Sequence, residues 1–154
     1  MIFFKDRFFP ILKKKGDQYK YRAVIGIGGN VGDVRKRFKR LYVYLQRCSL
    51  VYVEETSAIL KNPPFGYTKQ SDFYNAVMVI KTSLSPKALL KFLLHVEKIF
   101  GRKRSFKNAP RTLDLDIIFF RNLEYKTKTL QIPHKEWSSR ESVVLPLLKL
   151  KRKV

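Results

Sequence analysis

Residues 112–120 read TLDLDIIFF, and strict alternation of this kind fits a β-strand with one face buried and no other regular element. Side chains at i and i+2 share a face with Cα atoms about 6.6 Å apart, so Asp114 and Asp116 project side by side. Leu113, Leu115, Ile117 and Phe119 are expected on the opposite, core-facing side. Strand interiors are depleted of Asp, so the pair needs a reason. A solvated strand face or two surface ion pairs would be one. The other is cation binding: adjacent carboxylates repel unless something positive lies between them, and one or two Mg²⁺ ions carried in by phosphates would do that.

The remaining elements fall around this strand. Residues 21–27 (YRAVIGI) predict a strand entering a turn at Gly28-Gly29-Asn30. Val34, Phe38, Leu41, Tyr42 and Leu45 then mark one face of a helix whose other face is cationic. Residues 50–59 and 73–82 read as strands, separated by a loop at 62–66 that the paired prolines keep out of helical geometry. Ser85-Pro86 predicts an N-cap and first helical position, and Leu89, Phe92, Leu93, Val96 and Phe100 follow at helical spacing until Gly101. A weaker strand is expected near 128–132. The order βαββαβ predicts an α+β, ferredoxin-like sandwich, an antiparallel sheet with helices on one face.

Charge enters because of where it lies. The chain carries 33 Lys and Arg against 12 Asp and Glu, a formal net charge of +21 over 154 residues. With 45% hydrophobic residues, global disorder is excluded despite that charge. Lys98, Arg102, Lys103, Arg104, Lys107 and Arg111 precede the acidic pair with no acid among them after residue 98. Arginine forks match phosphate oxygens, so cations beside paired acids form the two halves of a metal-assisted phosphoryl-transfer site. The usual nucleotide motifs fail: no P-loop occurs, and Val31 stands where G-x-G-x-x-G needs its third glycine. His95 is expected to be structural, while His134, in a Pro-His-Lys turn, suits a ligand role.

Cys48 is the single cysteine, so an intramolecular disulfide is impossible, and no apolar run reaches a membrane span. At the N-terminus, Lys5, Asp6 and Arg7 split the apolar pieces, which excludes a secretion signal. An interfacial anchor or phenylalanines packed on the domain are the readings left, and a cytoplasmic, soluble setting is expected.

Several stretches then converge. GIGGNVGD (26–33), NPPFG (62–66), QSDFYNAV (70–77), VEKIFGRKR with APRTLDLDIIFF, and IPHKEWSSR (132–140) follow one another in family order. Over residues 22–150 the chain resembles the 6-hydroxymethyl-7,8-dihydropterin pyrophosphokinases of folate biosynthesis. The resemblance implies ATP-dependent pyrophosphoryl transfer to the pterin hydroxymethyl oxygen, giving AMP. It implies that Asp114 and Asp116 hold two Mg²⁺ ions and act with Arg102, Arg104 and Arg111 in catalysis. ATP would meet Arg102, Arg104, Arg111, His134 and Arg140, with Leu90, Glu97 and Ile117 near the nucleotide. The pterin pocket would be Asn62, Pro63, Phe65, Phe73 and Asn75. Residues 1–21 would be an N-terminal extension and 22–154 a single domain, active as a monomer and without specific nucleic-acid or membrane partners. Two positions depart from the pattern: Asn108-Ala109 replace Trp-Gly, and Ser142 stands where the family has a second stacking Phe. The rival readings are a basic RNA-binding module, which lacks an RNP1-like sequence and would not put two acids on its reading face, and a paralogue without pterin turnover.

Overall fold

The computed structural model describes residues 1–103 and 105–152. Its strands and helices follow the expected order. They are β3 (Tyr21–Gly29), α1 (Val34–Gln46), β4 (Val51–Thr56) and β5 (Ile59–Asn62), then β6 (Phe73–Thr82), α2 (Pro86–Ile99) and β7 (Asp114–Phe120). β6 pairs on one side with β4 and β5 and on the other with β3, which pairs with β7, all antiparallel. This is the ferredoxin-like sandwich. The strand expected over 50–59 is broken at Ser57: its backbone N–H donates to the Val77 carbonyl at 2.9 Å, and its hydroxyl accepts from the Val77 N–H at 3.0 Å.

The helices form for the reasons their sequence gives. The Asp33 carboxylate caps α1 by accepting from the Lys36 N–H, and the Ser85 hydroxyl caps α2 through the Ala88 N–H. Val34, Phe38, Leu41, Tyr42 and Leu45 of α1 and Leu89, Leu93 and Val96 of α2 are buried against Ala23, Ile25, Ile27 and Leu115. The opposite sheet face has its own small cluster, Val24, Val77, Val79 and Ile118. Over it lie a 3₁₀ turn (Trp137–Ser139) and a third helix, α3 (Glu141–Leu148), through Trp137, Val143 and Leu147. Phe119 belongs to this second face, not to the core expected for it. The register shifts between Val24 and Ile25, which places Ile118 and Phe119 on the same side, and Phe119 meets Trp137 edge-on at 4.9 Å. The weak strand near 128–132 shrinks to β9 (Gln131–Ile132), paired with β8 (Tyr125–Lys126) outside the main sheet.

The first dozen residues join the sheet. β1 (Ile2–Phe4) pairs with β5 and β2 (Ile11–Leu12) with β4. Phe9 is fully buried against Phe38 at 5.7 Å, and Phe8 stacks on Tyr42 at 4.4 Å. Burial of one such phenylalanine contributes about 1.5–3 kcal/mol. Among the described residues no helix is long and apolar enough to cross a membrane.

Candidate active site

The register brings three positions into one row across the sheet. Asp114 on β7 pairs with Gly28 on β3, and Gly28 pairs with Asn75 on β6. Paired residues point to the same face, so Asp114 and Asn75 stand on either side of a residue with no side chain, roughly 10 Å apart at two strand spacings. A Cβ at Gly28 would lie 2.5 Å from the Asn75 Oδ1, so the bare glycine lets that amide stand where it does. Asn75 donates its amide N–H to the Asn62 Oδ1 at 2.6 Å, and Asn62 donates to the Pro63 carbonyl at 3.0 Å.

At the other end of the row are the acids. The Asp114 Oδ1 accepts from the Arg102 guanidinium at 2.7 Å, and its Oδ2 lies 3.5 Å from Arg111. Arg102 also bonds Glu97 at 2.9 Å, and the same Glu97 Oε2 accepts the Leu115 N–H at 2.8 Å. Glu97 is thus buried at the back of the site, tying α2, Arg102 and β7 together. Burial disfavours charge on Arg102, yet Asp114 and Glu97 outweigh it and hold the guanidinium above its ordinary pKa. Asp116 is the less compensated acid. Burial first, then the charges of Asp114 and Glu97, push its carboxyl up to about 7, against a smaller opposing pull from Arg140 and Arg102. Two adjacent carboxylates supply the hard oxygen donors that fit Mg²⁺. No group of three or more His, Cys, Asp or Glu residues is arranged to hold a metal among the described residues, so the protein offers the two carboxylates.

Three loops meet above the row, and Asn30 binds them together. Its amide donates to the Gln70 Oε1 and the Ser71 carbonyl, both at 2.9 Å, and its Oδ1 accepts the Arg111 N–H at 3.0 Å. Gln70 in turn donates to the Asn108 carbonyl at 3.0 Å. Arg111 lies over the Phe73 ring at 5.0 Å, and Arg140 over Phe65 at 4.9 Å. Phe73 is buried, whereas Phe65 is 62% exposed. Arg140 also pairs with Glu136, and its Nε is buried with no hydrogen-bond partner among the described residues. His134 is anchored by its N–H to the Ile118 carbonyl at 2.9 Å. Burial, then Arg140, lowers the imidazole pKa, and its Nδ1 accepts from the Glu136 N–H at 3.3 Å. The neutral ring therefore carries its proton on Nε2, a donor left for a ligand.

The structure brings together Asp114, Asp116, Arg102, Arg111, His134 and Arg140 by these contacts and charge couplings. It separates others. Ile117 is buried on the helix side of the sheet, opposite the acids, and Leu90 lines a cavity of about 300 Å³ with Lys87, Tyr125 and Leu130. Arg104 lies outside the described residues. His95 is exposed on α2. Asn30 and Gln70 carry no role in the sequence reading. Their signal was an amide at the end of a glycine turn and another opening the 70–77 stretch, and neither shows its partners without the fold.

Paired acids, arginines and an open sheet edge place the molecule among α+β phosphotransferases that act on small substrates. The family model of 7,8-dihydro-6-hydroxymethylpterin-pyrophosphokinase matches residues 24–152. A 2-amino-4-hydroxy-6-hydroxymethyldihydropteridine pyrophosphokinase of Campylobacter jejuni is 46% identical over 145 residues, covering 94% of this chain and 92% of the relative. The enzyme of the same name from Helicobacter pylori is 45% identical over 144 residues, 92% of this chain and 88% of its own. That of Synechocystis is 36% identical over 141 residues, 92% and 72%. The chain belongs to the 6-hydroxymethylpterin pyrophosphokinase family. The Campylobacter alignment is too long to leave all of residues 1–21 outside it.

Proposed function

We propose that this chain transfers the pyrophosphoryl group of ATP to the hydroxymethyl oxygen of 6-hydroxymethyl-7,8-dihydropterin, releasing AMP, in folate biosynthesis. The carrying observation is the row Asp114–Gly28–Asn75: a phosphate-handling end and an amide-bearing end share one sheet face, with a bare glycine between them. A flat heterocycle with hydrogen-bonding edges suits Asn62 and Asn75 beside Phe73, with Pro63 and Phe65 closing the loop side. Arg102, Arg111, His134 and Arg140 receive the triphosphate, and Arg104 is assigned to the same task. Two Mg²⁺ ions on Asp114 and Asp116 would neutralise phosphate charge and align the transferred group. The protein's own part is positional. Glu97 and Arg102 fix Asp114, His134 and the orphaned Arg140 Nε supply donors, and no covalent nucleophile is needed.

Leu90 and Ile117 are assigned to the nucleotide from the family resemblance alone. The lone thiol Cys48 suits a reducing cytoplasm. The test is ³¹P NMR and AMP detection with ATP, Mg²⁺ and the dihydropterin alcohol. AMP and a pterin diphosphate in equal amounts are expected. Release of ADP, or no pterin-dependent AMP, overturns the reading.

A further inference from the structure

The N-terminal strand lies behind the pterin side of the site. β1 pairs with β5 in the register Ile2–Lys61, Phe3–Leu60 and Phe4–Ile59, and β5 ends at Asn62. Beyond it come Pro63 and Pro64, which have no backbone N–H to extend a ladder. Asn62 itself pairs with Phe73 on β6, and the strand that carries it is held on its other side by β1 as far as Lys61.

Phe4 links those neighbours. Its ring packs on Tyr74 at 6.1 Å, and the Arg35 guanidinium lies over it at 4.1 Å. Asp6 grips Arg35 with two hydrogen bonds of 2.6 and 2.9 Å, so the cation is fixed in place. Tyr74, also flanked by Lys61, stands between Phe73 and Asn75 on β6, and alternation sends those two side chains to the opposite face. Four elements thus converge on the Phe4–Tyr74 pair: β1, β5, β6 and the first turn of α1.

We propose that Phe4 is a positioning residue for the pterin subsite: it sets the spacing of β5 against β6, and with it the Asn62–Asn75 amide pair. The inference rests on the assignment of that pair and Phe73 to the pterin. Phe4 itself touches no substrate. Loss of its ring leaves Tyr74 without support on one side and takes away the surface beneath Arg35, while the acid end of the row, two strands away, keeps Arg102 and Arg111.

The test is steady-state AMP release by the full chain, with KM measured separately for the dihydropterin alcohol and for ATP. Phe4→Ala should raise the pterin KM about threefold to tenfold, the range one aromatic contact spans, with kcat and the ATP KM nearly unchanged. Phe4→Tyr, which keeps the ring, should restore the pterin KM. Should Phe4→Ala not fold, Asp6→Asn, which frees Arg35, carries the test and should shift the pterin KM in the same direction by less. An unchanged pterin KM in a folded variant, or equal rises in both KM values, overturns the proposal while leaving the activity intact. No pterin-dependent AMP from the unaltered chain overturns the functional reading, and this inference with it.

Discussion

Asp116 concentrates the chemistry of the site at a single residue. Its carboxyl, raised to about 7 from an ordinary 3.8, is an acid held close to others, with no arginine among the described residues paired to it in the way Arg102 is paired to Asp114. Between those two values the metal-free native state binds more protons than the unfolded chain, so this group lowers stability as pH rises through the window, fully above about 7. Asp116→Asn removes that penalty. In metal-free protein the variant should melt above the unaltered chain at pH 8 and match it near pH 4, measured by calorimetry. A variant that melts lower at pH 8 would show the carboxylate to be compensated. The same substitution should reduce AMP formation by about 10² or more, because one anchor for the phosphate-neutralising cations is gone. Its fold should survive, since the side chain lies on the face of β7 opposite Leu115 and Ile117 and Asn keeps its shape.

At the level of elements, β3 shows how backbone chemistry shapes a substrate site. Gly28→Ala would drive a methyl group to within 2.5 Å of the Asn75 Oδ1, an end of a side chain that can swing away. Folding should therefore tolerate the change better than recognition does. Pterin affinity, titrated calorimetrically with a nonhydrolysable ATP analogue present, should fall about tenfold or more, the scale of a lost hydrogen bond between buried groups. Affinity unaltered in Gly28→Ala would remove Asn75 from the pterin pocket. How much of this was legible beforehand follows from periodicity. All five apolar positions expected for α1 are buried, and the alternation over 112–117 puts both acids on the face opposite Leu115 and Ile117. Phe119 escaped because a register shift in the β3–β7 ladder leaves no trace in composition. Likewise α3, short and with Pro146 inside it, gave no amphipathic signal, although Val143 and Leu147 pack on the second sheet face. The Asn30 hub depends on contacts 40 and 81 residues away, and those exist only after three loops have met.

Over the whole molecule the charge is spent unevenly. Asp6, Glu54, Glu97, Asp114 and Glu136 are engaged by arginines, and Glu55 caps the Lys151 and Arg152 amides, so much of the small acidic complement is already bound internally. The 33 cations outnumber what these acids can neutralise, and their net effect on the fold is repulsion. A chain of this length has a radius of gyration of about 15 Å. The Debye length falls from roughly 30 Å at 0.01 M salt to about 8 Å at 0.15 M, so low salt lets every cation oppose every other and physiological salt does not. Thermal stability should accordingly rise by a few degrees between those conditions, where a fold held mainly by ion pairs would lose stability. Catalysis should respond in the opposite sense and only for one substrate. The field that repels internally attracts ATP, so the ATP KM should increase several-fold over the same salt range, while the KM for the uncharged pterin stays level. Parallel increases in both would mean that salt acts on the architecture of the site, and a flat ATP KM would mean that the excess charge plays no part in drawing the nucleotide to Arg102, Arg111 and Arg140.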